Sequence, residues 1–227
     1  WNENIAILSG DVMLVRVYDL LLTAPDHLVK RVIAAFNDCA AGVCEGQQLD
    51  MDFESQESVT EEEYIHMIHH KTAILLGYSL ALGGVLAESP EEDIRLLNDL
   101  GIRMGIGFQL MDDLLDVYAD HEKFGKQSGG DIISNKKTYL LIKALERSKG
   151  KQHDELLSWI RGDHFDDEEK VRAVKAIYDD LDIPGLARDK MNTYFQQAFS
   201  DLDKISVPEE HKQDLRDIIH YLMQREI

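Results

Sequence analysis

Apolar residues recur along this chain three and four positions apart, the spacing that gathers them on one side of an α-helix. Nowhere do they alternate as half-buried strands require. Helix starts are marked in the same pattern. Thr60-Glu61-Glu62-Glu63 reads as a capping box and Ser89-Pro90-Glu91-Glu92 as a start with proline at the first helical position. Ser206-Val207-Pro208-Glu209 is a similar device before the last helix. The acidic run Asp166-Asp167-Glu168-Glu169 suits a solvated helix N-terminus, where carboxylates meet the favourable end of the dipole. Ala24-Pro25, Gly150 and Ile183-Pro184-Gly185 punctuate between helices, residues 48–59 read as an acidic loop, and 120–134 read as a glycine-bearing one. The pattern predicts an all-α fold, a single-domain helical bundle over residues 1–227. Gly101, Gly105 and Gly107 would each weaken a helix by about 1 kcal/mol, and close approach of a neighbouring helix is the expected reason for them.

One segment adds chemistry to this pattern. Gln109, Asp112, Asp113 and Asp116 fall at i, i+3, i+4 and i+7, beside a core stripe of Leu110, Met111, Leu114, Leu115 and Tyr118. The spacing predicts a carboxylate wall along the edge of a packed helix. Asp112 with Asp116, Asp113 with Asp116 and Asp116 with Asp120 are like-charge neighbours, together costing about 1 kcal/mol. A divalent cation is one compensation, since magnesium takes carboxylate oxygens and shares its other positions with substrate phosphates. Plain solvation of an acidic face is the other reading.

Lysines surround that wall. Lys71 precedes the apolar run Ile74-Leu75-Leu76, where an ammonium is costly unless it meets an anion or snorkels to water. Lys126, on the glycine-bearing loop, and Lys136, where a new helical pattern opens, are placed to reach a phosphate held at the carboxylates. His66-x-x-His69-His70 has a spacing that can put two imidazoles on zinc. The glutamates one turn earlier are already explained by the helix start, and the reading without metal is preferred.

Charge narrows the partners. Lys and Arg number 24 against 43 Asp and Glu, a net −19, which argues against nucleic acid or anionic membranes. A protein this acidic needs metal ions and local lysines to bind a diphosphate. Residues 72–87, the longest nearly apolar run, are too short and too glycine-interrupted for a membrane span and read as a core helix. Cys39 and Cys44 suggest no disulfide scaffold, and Cys44 is expected to be a small buried hydrophobe rather than a nucleophile.

Four local motifs, in order and spacing, resemble the trans-prenyl diphosphate synthase (polyprenyl synthetase) family. Phe108-Gln109-x-x-Asp112-Asp113-x-x-Asp116 is similar to its second aspartate-rich motif. Gly125-Lys126 with Asp131-Ile132-x-x-Asn135-Lys136 is similar to its lysine loop. Lys71-Thr72 and Cys44-Glu45-Gly46-Gln47-Gln48-Leu49-Asp50 are similar to its lysine-threonine and glycine-glutamine segments. The resemblance runs from Asn4 to the C-terminus. The family's first aspartate-rich motif, its arginine pair and its upstream basic residues have no counterpart here. The chain is therefore expected to be the C-terminal two-thirds of a longer protein.

The resemblance implies an isoprenoid synthase bundle with a central active-site cavity, and a short-chain prenyltransferase making farnesyl or geranylgeranyl diphosphate. It implies an allylic diphosphate bridged by Mg²⁺ to Asp112, Asp113 and Asp116, with Lys71, Lys126 and Lys136 completing the anion cage. Thr72 and Gln109 would offer oxygen dipoles to the allylic cation, Gln47 would lie near the chain-elongation cavity, and isopentenyl diphosphate would be the second substrate. A cytoplasmic homodimer is the corresponding expectation. A terpene cyclase on the same architecture and a catalytically idle partner subunit remain the alternatives.

Overall fold

The structure, a computed structural model, describes residues 2–119, 129–162 and 166–224. Among them there are helices and no strands. In chain order these are α1 Glu3–Leu21, α2 Asp26–Ser55, α3 Glu61–Ile68, α4 Ile74–Leu86, α5 Glu91–Tyr118, α6 Gly130–Ile133, α7 Tyr139–Arg147, α8 Lys151–Arg161, α9 Asp167–Asp180, α10 Ile183–Lys204 and α11 Gln213–Met223. The all-α reading therefore holds. No helix among the described residues is long and apolar enough to cross a membrane.

The centre of the molecule is α5, which packs along α4 on one side and α10 on the other. Its apolar stripe explains this. Leu100, Leu110 and Leu114 are wholly shielded and Met111 nearly so, and they meet Phe195, Ala198 and Leu202 in one core. Burying each such leucine contributes about 1.5–3 kcal/mol. The three glycines work as expected. A Cβ on Gly101 would lie 2.7 Å from Gly77 Cα on α4, one on Gly105 would lie 2.5 Å from Ala73 Cα, and one on Gly107 would press the Phe195 ring at 3.0 Å.

Between α3 and α4 the chain does not break. Residues His69–Ala73 form a π turn, in which the Ile74 N–H reaches back five residues to the His69 carbonyl. Gly46 of α2 abuts this turn on one side, where any Cβ would strike the Lys71 backbone nitrogen, and Gly105 of α5 abuts it on the other. Glycine permits both approaches because it has no side chain to displace.

The start signals mostly hold. Thr60 and Glu63 exchange both bonds of a capping box, the Glu63 N–H donating to Thr60 Oγ1 at 3.2 Å and the Thr60 N–H to Glu63 Oε2 at 2.8 Å. Asp166 caps α9, accepting the Glu169 N–H at 2.9 Å. Pro90 sits one place earlier than expected, at the cap of α5. Before α11 a short 3₁₀ turn, Glu209–His211, intervenes.

Three local expectations are corrected. Residues 48–55 belong to α2 rather than to a loop, because Leu49 and the buried Phe53 continue its apolar stripe and Gln48 donates to Asp52 at 2.8 Å one turn on. Pro184 opens α10 rather than separating helices: Asp182 takes the left-handed conformation (φ 53°), and Ile183 and Pro184 enter the core in the first turn. Cys44 is exposed, whereas Cys39 is buried. Cys39 lies on the α2 stripe with Gly42, Gly46 and Phe53, and Cys44 falls on the opposite side.

Candidate active site

The aspartates of α5 do not share one environment. Asp112 is exposed, Asp116 half-buried and Asp113 only 3% exposed, so the expected single wall is split. A spacing of one residue turns Asp113 about 100° from Asp112 and into the protein. There its Oδ2 accepts from the Tyr64 hydroxyl at 2.5 Å and from the Tyr139 backbone N–H at 3.2 Å, and its Oδ1 from Gln109 Nε2 at 3.4 Å. Tyr139 opens α7, so the carboxylate also faces a helix N-terminus. Burial pushes the Asp113 carboxyl up to about 7, against the Tyr64 and Tyr139 hydrogen bonds that pull it down. Burial, then the Asp113 charge, push the Tyr64 phenol well above its ordinary range.

Asp116 ties the next segment back to α5. Its backbone carbonyl accepts the Gly129 N–H at 2.7 Å and its Oδ2 the Asp131 N–H at 2.9 Å. The segment is seated from the other side by Lys170, which is 6% exposed and donates to the Ile133 carbonyl at 3.0 Å and to Asn135 Oδ1 at 2.8 Å. Asn135 adopts φ 55° and donates to the Ile160 carbonyl at 3.1 Å. This delivers Lys136 3.4 Å from Asp131 Oδ1. Burial pulls the Lys136 ammonium down, but Asp131, Asp113 and Asp50 outweigh it and hold the group above its usual value.

Lys71 finds an anion rather than bulk water. Its Nζ lies 2.5 Å from Asp50 Oδ2, the last residue of the glycine-glutamine segment on α2. Beside it the Thr72 hydroxyl donates to Gln109 Oε1 at 3.0 Å. Asp50, Tyr64, Lys71, Gln109, Asp113 and Lys136 line one narrow pocket. The structure thus brings together Lys71, Thr72, Gln109, Asp113 and Lys136. Gln47 lies exposed on α2 outside that lining, and Lys126 falls outside the described residues.

Asp50 and Asp131 stand in the sequence motifs without a role assigned to them, and Tyr64 stands in none. Asp50 carried a signal, since a lysine in an apolar run demands a counter-ion and a carboxylate closed the neighbouring motif. Tyr64 reads as ordinary core, and Asp131 as a motif residue with no partner indicated.

Two other clusters carry less. His66, His69 and His70 line a cleft of about 520 Å³ with Glu61, Lys190 and Tyr194. The rings of His66 and His69 lie 4.3 and 4.8 Å from that of His70, and His70 Nδ1 is 2.9 Å from the His66 carbonyl. Among the described residues no three His, Cys, Asp or Glu side chains converge on a metal position, so zinc gains no support. Glu61 is held below its ordinary range by Lys143 and Lys190, 2.5 and 2.6 Å away, which outweigh its burial.

Comparison with known proteins bears on the family and the fold. Residues 1–179 match the family model described as Polyprenyl synthetase. The chain is 40% identical over 159 residues to the short chain isoprenyl diphosphate synthase of Methanothermobacter thermautotrophicus, covering 70% of this chain and 49% of that protein. It is 34% identical over 223 residues to the geranylgeranyl pyrophosphate synthase of Geoglobus acetivorans, covering 97% of this chain and 67% of that protein. The solved geranylgeranyl pyrophosphate synthetase of Pyrococcus horikoshii superposes with a TM-score of 0.90 at 29% identity, over 98% of this chain and 68% of that one. The chain therefore spans about half to two-thirds of the length of these relatives. With the family model matched over residues 1–179 and the helical frame shared almost end to end, the chain belongs to the polyprenyl synthetase family.

Proposed function

We propose that the whole protein is a prenyltransferase that condenses an allylic diphosphate with isopentenyl diphosphate to give a short-chain product, farnesyl or geranylgeranyl diphosphate. The carrying observation is the gathering of Lys71, Lys136, Gln109 and the Gln109-bound Thr72 at one pocket, with Gln109 on the helix that also exposes Asp112. Residues 1–227 are read as one domain of that protein.

The donor set fits magnesium as a bridge to substrate. Asp112 and Asp116 offer hard carboxylate oxygens, and the described residues hold no complete cage of their own. That suits an ion which keeps most of its positions for phosphate and water. Asp112 and Asp116 are the principal ligands in this reading, with Asp113 inward behind them. When bound, the ion supplies positive charge that stabilises the departing diphosphate.

The chain's own residues do the rest. Lys71 and Lys136 exchange Asp50 and Asp131 for diphosphate oxygens, joined by Lys126, so the carbon–oxygen bond breaks with its electron pair on the leaving group. Thr72 and Gln109 turn oxygen dipoles toward the allylic cation. The isopentenyl double bond attacks that cation, and a proton is lost to the released diphosphate. Gln47, next to the glycine that abuts Lys71, is the remaining polar group for substrate.

Homodimerisation and a cytoplasmic location complete the reading. In support of a partner, α1 leaves Ile7, Leu8, Met13, Val15 and Leu20 between 62 and 70% exposed, on several sides of one helix. Light scattering should report two copies.

The decisive test is to incubate the full-length protein with an allylic diphosphate, isopentenyl diphosphate and magnesium and to chromatograph the product. A prenyl diphosphate one or more five-carbon units longer is expected. Release of hydrocarbon or alcohol without use of the isopentenyl unit would mean a cyclase, and no turnover an idle subunit.

A further inference from the structure

Gln109 joins two groups that admit one arrangement. Its Nε2 donates to Asp113 Oδ1 at 3.4 Å and its Oε1 accepts from the Thr72 hydroxyl at 3.0 Å. In its ionised form Asp113 offers only acceptors, so the amide then turns its NH₂ toward Asp113 and its carbonyl toward Thr72. Thr72 then commits its single hydroxyl hydrogen to Gln109, and toward any other neighbour its oxygen presents lone pairs alone. On the far side, Asp113 is anchored by the Tyr64 hydroxyl at 2.5 Å and the Tyr139 N–H at 3.2 Å. Tyr64 is 2% exposed, so water does not compete for this anchor. Every hydrogen bond in the set points toward Asp113.

We propose that Tyr64 and Asp113 are positioning residues that set the direction of this hydrogen-bond series, so that Thr72 turns only its oxygen toward the carbon that becomes cationic. The inference rests on the prenyl-transfer reading above and extends it to two groups that need not touch substrate. A hydroxyl free to rotate could turn its hydrogen toward the cation and would have to reorient during ionisation. A hydroxyl held by Gln109 is oriented beforehand, which is where a preorganised dipole acts most strongly. Tyr64 reaches Thr72 only through Asp113 and Gln109, so its effect on rate must vanish once the Thr72 oxygen is gone.

A double-mutant cycle on the full-length protein tests this. Tyr64→Phe should lower kcat about tenfold while leaving KM for both diphosphates, and the magnesium requirement, within about twofold. In a Thr72→Val background Tyr64→Phe should cause no further loss, because the two side chains act as one unit. Losses that multiply, an unchanged kcat, or a change confined to KM would overturn the proposal. Asp113→Asn, of equal size, should show the same non-additivity with Thr72→Val, and it serves if Tyr64→Phe fails to fold. A readout without turnover is the side-chain amide NMR signal of Gln109 in metal-free protein. It should move in Tyr64→Phe, and an unmoved signal counts against the series. Failure of the wild type to elongate an allylic diphosphate would remove the functional reading and this inference together. An active wild type with multiplying losses would remove this inference alone.

Discussion

The Lys71 ammonium stands 2.5 Å from Oδ2 of Asp50, joining the π turn to α2 across 21 residues of sequence. Their side chains are 30% and 15% exposed, so each is the other's main compensation for leaving water. Asp50→Ala should destabilise the protein by about 1–3 kcal/mol, since it strands a partly buried ammonium. Inorganic pyrophosphate should then raise the melting temperature more in the variant than in the wild type, because it no longer competes with the carboxylate. Equal increments in thermal unfolding would place Lys71 outside the anion site.

Neighbouring aspartates should give opposite signatures. Asp112 is exposed, so Asp112→Ala should cut turnover by orders of magnitude while the melting temperature of metal-free protein stays put. Asp113→Ala leaves the Tyr64 hydroxyl and the Tyr139 N–H without an acceptor. It should lower stability by about 1–3 kcal/mol for each donor left unpaired. Calorimetry beside steady-state kinetics separates the two, and a common signature would contradict the split geometry.

Asp113 also makes stability depend on pH. Burial raises its carboxyl in the folded protein from 3.8 to about 7, so the native state binds the proton more tightly than the unfolded chain. The contribution is fully present below the unfolded value, is lost as pH rises through about 7, and is level beyond. Urea unfolding of metal-free protein at about pH 5 and pH 8 should show Asp113→Asn gaining on the wild type as pH rises. A constant difference would refute the shift.

Gly105 has no room for a methyl group against Ala73, whose Cα lies 2.5 Å from where its Cβ would be. Despite its better helix propensity, Gly105→Ala should destabilise by about 1–3 kcal/mol through overpacking. Gly83, where a Cβ meets nothing within 4 Å, is the matched control. Gly83→Ala should stabilise by about 0.5–1 kcal/mol. Denaturant midpoints of the pair decide whether close approach, or mere flexibility, accounts for the glycines of α5.

Much of this was legible beforehand, and particular residues show why. Periodicity located α5 and capping chemistry located the starts of α3 and α9, since both arise within a few residues of sequence. Glycine spacing announced the tight crossings. The error over residues 48–55 came from acidic density hiding a stripe held by only Leu49 and Phe53. Asp112 and Asp113 looked alike because adjacent positions carry the same charge, and only the neighbouring helices decide which one is buried. Tyr64 was invisible as chemistry: its partner lies 49 residues away, and nothing local sets an anchoring tyrosine apart from a packing one.

The π turn explains how Tyr64 and Thr72 come to address the same helix. Eight positions along a regular α-helix differ by about 80° in azimuth, but one extra residue wound into the turn makes the separation behave as seven, about −20°. Both hydroxyls consequently point at α5, to Asp113 and Gln109. Rewinding the turn as regular α-helix with every residue kept would put the threonine at about 80°, roughly a quarter-turn off its target, whereas regular winding with residue 69, 70 or 71 deleted would keep it at about −20°. At this point the count of residues matters as much as their identity.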